Sequence, residues 1–127
     1  MRIAPSLKIA LAALALASGT AALAHGSMRP QHGGLVAMSG EIVVELVRGP
    51  NGVSVYVTEE DEPLPASGMT GKLTVSAGGK KADTPLVAGP GNRFDARGLR
   101  VPAGAAVTVS LVNTASRART FVNFTVR

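Results

Sequence analysis

The sequence predicts an all-β protein, a single antiparallel β-sandwich of about seven short strands behind a cleaved signal peptide. Three observations predict it. Apolar and polar residues alternate with period two across several short segments rich in valine. Glycine, proline and asparagine punctuate the gaps between those segments. Beyond the leader, no stretch repeats apolar residues at helical spacing for long enough to form a helix.

The leader spans residues 1–24. Residues 1–8 carry Arg2, Lys8 and the amino terminus but no acid, and residues 9–17 are an unbroken run of Ala, Leu and Ile. Ser18-Gly19-Thr20 breaks the run, and Ala22-Leu23-Ala24 places small residues at the positions a signal peptidase reads. A charged start, an apolar middle and an A-x-A end describe a secretory signal peptide, and the apolar run is too short to span a bilayer. With no cysteine in the chain, lipid attachment at a mature N-terminal Cys is excluded. The expected mature protein begins at His25, lies in the periplasm and has no stable membrane insertion.

Residues 25–34 form the next segment, an irregular, flexible arm broken by Gly26, Pro30, Gly33 and Gly34. The sandwich domain follows over residues 35–127, with its first sheet residues near Leu35. Residues 41–47 set Ile42, Val44 and Leu46 on one face and Glu41, Val43, Glu45 and Val47 on the other. Residues 53–58 turn Val53, Val55 and Val57 inward, and residues 107–111 and 122–126 repeat the pattern. Residues 70–76, 84–87 and 93–96 are weaker strands. Gly49-Pro50-Asn51-Gly52 joins the first two, with Asn-Gly expected to supply the positive φ angles of a tight hairpin. Seven strands of this kind suit an immunoglobulin-like or a cupredoxin-like topology equally well.

Composition narrows the function. The formal charge of +5 falls to +3 once Arg2 and Lys8 are removed, and the remaining cations are scattered. That is a solvated surface and not a nucleic-acid stripe. Aromatics are limited to Phe94, Phe121, Phe124 and Tyr56, too few for a platform that stacks bases or sugars. Without disulfides, stability has to come from packed aliphatic side chains.

The chemistry concentrates in the arm. Both histidines of the chain, His25 and His32, lie there; Met28 sits between them and Met38 just beyond. Cleavage after Ala24 would pair the new α-amino nitrogen with the His25 ring as a chelate, and His32 would add a second imidazole. Such a nitrogen set suits Cu(II), and thioethers from Met28 and Met38 suit Cu(I). The candidate metal ligands are therefore His25, His32, Met28 and Met38, with a copper ion as the cofactor. Met69 reads instead as a gap-filling core residue.

His32-Gly33-Gly34, the strand residues Val43, Glu45, Leu46 and Val47, then Val55-Tyr56-Val57, an acidic turn with Pro63-Leu64-Pro65, and residues 68–75 form a series. It resembles small periplasmic proteins and domains encoded near copper and heavy-metal efflux systems, over most of the chain beyond the leader. The resemblance implies a β-sandwich that binds or passes on metal in the periplasm, with an efflux or copper-receiving protein as partner; its His-Gly-Gly maps onto His32. The chain is also similar to copper-carrier sandwiches that begin at an N-terminal His, although no histidine lies in the strands to complete their site.

Other constellations carry less. The acids of residues 59–62 lack the alternating ligands and central glycine of a calcium loop. No glycine-rich phosphate loop opens a helix, and the arm is poorly placed to hold a histidine beside a catalytic serine. The expected function is a non-enzymatic periplasmic metal-binding protein, a copper chaperone or buffer. The alternative is a metal-free module docking onto an efflux or other envelope complex through a sheet edge. A copper enzyme ranks last.

Overall fold

The computed structural model describes residues 28–127. The leader and His25 lie outside the described residues. Among the described residues nine strands run in chain order: β1 (Leu35–Ser39), β2 (Ile42–Gly49), β3 (Gly52–Glu59), β4 (Glu62–Pro63), β5 (Met69–Ala77), β6 (Lys80–Ala88), β7 (Arg93–Arg97), β8 (Ala106–Asn113) and β9 (Arg119–Thr125). A 3₁₀ turn, Ala66–Gly68, precedes β5. No described helix is long and apolar enough to cross a membrane.

All pairings are antiparallel. The strand path is β1-β2-β3-β7-β6-β5-β8-β9, with β4 attached to β3. β6 joins the two halves. Its residues from Lys80 to Leu86 pair with β5, and then Val87 and Ala88 pair with β7. Pro85, which has no N–H to give a ladder, sits just before that change of partner. The two ends of the path, β1 and β9, lie against each other. No ladder joins them among the described residues, so the sheet is nearly barrel-shaped.

The expected inward residues form the core. Val44 and Leu46 of β2, Val53, Val55 and Val57 of β3, Val107, Val109 and Leu111 of β8, and Val122 and Phe124 of β9 are all buried. Phe94 of β7 and Leu73 of β5 fill the centre with no exposed surface. Burial of each such side chain is worth about 1.5–3 kcal/mol, the term that replaces disulfides here. Met69 is also in this core. Arg48 fastens the chain's end, donating from Nη1 to Val101 O at 3.2 Å and from Nη2 to Arg127 O at 2.6 Å.

Three features differ from the sequence reading. The seven expected strands are all present, but β1 and β4 raise the number to nine. β1 lacks alternation because Leu35, Val36, Ala37 and Met38 are all apolar. The hairpin between β2 and β3 also turns differently. Gly49 pairs with Gly52, so Pro50 and Asn51 are the central residues, and only Gly52 has positive φ, at 130°. A Cβ on Gly52 would run into Ala96 O, so glycine there lets β3 close on β7. Finally, β2 does not alternate in burial: Val43, Val44, Glu45 and Leu46 are buried in succession. Something covers its outer face.

Candidate metal site

That cover is the arm, and Glu45 holds it. Antiparallel register sets Glu45 opposite Tyr56 on β3 and opposite Val36 on β1. Side chains on one face of such pairs are close neighbours. The Glu45 side chain is 6% exposed. Its Oε1 accepts the Gln31 backbone N–H at 2.9 Å, while Oε2 accepts those of His32 at 2.8 Å and Gly34 at 2.9 Å. The His32 ring completes the set, with Nδ1 3.1 Å from Oε1. Burial pushes the Glu45 carboxyl up, but the N–H donors of Gly34 and Gln31 and the ring and amide of His32 outweigh it and hold the group below its ordinary range.

The two glycines of His-Gly-Gly have structural reasons. Gly33 turns the chain with φ of 75°, and a Cβ on Gly34 would collide with Leu46 O, so glycine lets the arm lie directly on β2. The His32 imidazole then stacks on the Tyr56 ring, with centroids 3.6 Å apart and planes 6° from parallel. Its side chain keeps 42% of its surface exposed.

An ionised carboxylate only accepts hydrogen bonds, so His32 Nδ1 carries the proton toward Glu45. Neutral His32 therefore presents the Nε2 lone pair. A cleft of about 490 Å³ opens beside it, bounded by Arg29, His32, Tyr56, Thr58, Pro63 and Asn92. An imidazole whose far nitrogen donates to a carboxylate is the usual arrangement of a metal-binding histidine.

The other expected ligands fall elsewhere. Met28 is exposed at the start of the described chain. Met38 is half-buried on β1, paired with Val43, and so on the same outer face as Glu45. Neither methionine lines the cleft. His25 is outside the described residues. Among the described residues, no three His, Cys, Asp or Glu side chains gather as a metal cluster. Glu45 and Tyr56 are the site residues that sequence reading passes over. One signal for Glu45 was available, a lone acid inside the apolar run Ile-Val-Val-Glu-Leu-Val.

Compared with known protein families, curated proteins and solved structures, the chain matches none.

Proposed function

We propose that the chain is a periplasmic copper-binding protein, a non-enzymatic chaperone or buffer connected with metal efflux, and that His32 is its fixed ligand. The observation that carries this reading is the His32 ring itself. Glu45 holds Nδ1, Tyr56 holds one ring face, and Nε2 is left for a metal ion beside an open cleft. On this reading the nearly closed sheet is a β-sandwich hinged at β6, a rigid platform for the arm. His25 with the mature α-amino group, and the thioethers of Met28 and Met38, supply the remaining donors. Imidazole with amine suits Cu(II), and imidazole with thioether suits Cu(I).

Calorimetric titration of the exported protein with Cu(II) tests the reading. His32→Ala is expected to weaken binding by tenfold or more, on the order of one lost ligand. Affinity unchanged by that substitution would remove His32 from the site and the function with it.

A further inference from the structure

A histidine followed by two glycines can grip Cu(II) without any fold. In a free peptide, Nδ1 of the ring and nearby deprotonated backbone amides close chelate rings around one ion. Here Nδ1 and all but one of those amides are occupied. Glu45 takes Nδ1 of His32 through Oε1, and through Oε2 it takes the His32 amide and the Gly34 amide. The same carboxylate also holds the Gln31 amide. Of the donors around the His32 ring, only Nε2 and the Gly33 amide are outside its reach.

The geometry points to Glu45 as a positioning residue that prevents His32-Gly33-Gly34 from chelating a metal ion through its own backbone, so that His32 meets metal only through Nε2. This rests on the metal-binding reading above and sharpens it. A peptide chelate that consumes amide protons encloses the ion in nitrogen and releases it slowly. A single imidazole nitrogen on a rigid sheet leaves the other coordination positions to exchangeable donors. Tyr56 assists, because its stacked ring resists the rotation that would bring Nδ1 outward. The proposed chaperone role requires such a handover, which the fold would impose on a motif that favours retention.

Two measurements test it. Long-range nitrogen–proton NMR of the metal-free chain, above the histidine titration, reads the tautomer of the His32 ring. A proton on Nδ1 is expected, against the ordinary preference of imidazole for Nε2; a ring protonated mainly on Nε2 overturns the proposal. The second uses the full chain with a blocked amino terminus and His25→Ala, leaving His32 as its imidazole, with and without Glu45→Ala, each titrated with Cu(II) at neutral pH. The visible copper band of the Glu45→Ala chain is expected at shorter wavelength, with added amide-nitrogen couplings in the electron paramagnetic spectrum. Identical spectra, or no amide coordination in the variant, overturn it. Glu45→Gln, which keeps the side chain's shape, is expected to lie between the two. Should His32→Ala leave copper binding untouched, the proposed function fails, while the metal-free tautomer still decides what Glu45 does.

Discussion

β2 and β8 are each central in their half of the sheet, yet they bury themselves differently. β8 follows the simple pattern: Val107, Val109 and Leu111 are buried while Thr108 and Ser110 between them are half-exposed. β2 buries Val43 and Glu45 as well as Val44 and Leu46. One strand has a core face and a wet face; the other has a core face and a roofed face. A roof built by the irregular residues 28–34 is unstable unless its backbone polar groups find partners, and on β2 one carboxylate accepts three of its amides. The polar side chain in an apolar strand is thus the reason the strand can be covered at all.

The largest effect expected from breaking this contrast follows Glu45→Ala. It strands the amides of Gln31, His32 and Gly34 and removes hydrogen bonds to a charged acceptor, which are worth about 1.5–3 kcal/mol each where they stay buried. Because the arm can detach and let water satisfy those amides, the net loss is expected near 3 kcal/mol. Thr108→Ala on β8 deletes only an exposed hydroxyl bond to Asn123 Oδ1, and is expected to cost about 0.5 kcal/mol. Urea denaturation of both variants makes the comparison. Equal losses would mean that the arm contributes nothing to the stability of β2.

The same carboxylate makes the roof sensitive to acid. The folded Glu45 carboxyl titrates below its unfolded counterpart, so its contribution is complete above the unfolded value and disappears as pH falls through the folded one. The wild-type chain is therefore expected to lose more stability between neutral pH and pH 3 than Glu45→Gln does. Parallel pH dependence in the two chains would assign the acid response to other groups. Gly34→Ala attacks the roof from the other side. Its Cβ has no room against Leu46 O, and a loss of about 2 kcal/mol is expected with the arm lifted from β2. Tyr56 is the sole tyrosine and there is no tryptophan, so tyrosine emission reports the lost His32 stack directly. Emission unchanged in Gly34→Ala would show the arm still in place.

Much of this molecule is legible from alternation, because β3, β8 and β9 each bury one face and show it residue by residue. What periodicity conceals is the second contact a strand makes. Nothing in the spacing of Val43 and Glu45 says that residues some ten positions upstream fold back over them, since that depends on a carboxylate meeting amides of an irregular segment. His32 was legible as a candidate ligand from its chemistry. Its orientation was not, because the orientation belongs to Glu45 and Tyr56, and antiparallel register, not sequence proximity, brings those two together. Met38 was legible as apolar and near the arm, but its rung, opposite Val43, is fixed only by the pairing of β1 with β2.

The smallest effect concerns the turns at opposite ends of β3. Asn51-Gly52 carries the residues that a mirror-image hairpin turn prefers, but Pro50, with its fixed negative φ, shifts the turn back by one residue. The other hairpin has the mirror-image geometry without the preferred residues. Glu59 pairs with Glu62, and between them Glu60 and Asp61 adopt φ of 51° and 68°. Aspartate tolerates this conformation better than glutamate, for which it costs about 1–2 kcal/mol. Glu60→Gly removes that cost and returns about 0.5–1 kcal/mol in unfolded-chain freedom, so a net gain of about 0.5 kcal/mol is expected. Thermal melting at neutral pH reads it, and Glu60→Gln separates the relief of charge repulsion among four adjacent acids from the relief of backbone strain. A gain equal in both variants would make charge, not φ, the burden on this turn; a gain confined to glycine would mean that the acidic turn keeps its shape against its own residues because β3 and β4 require it.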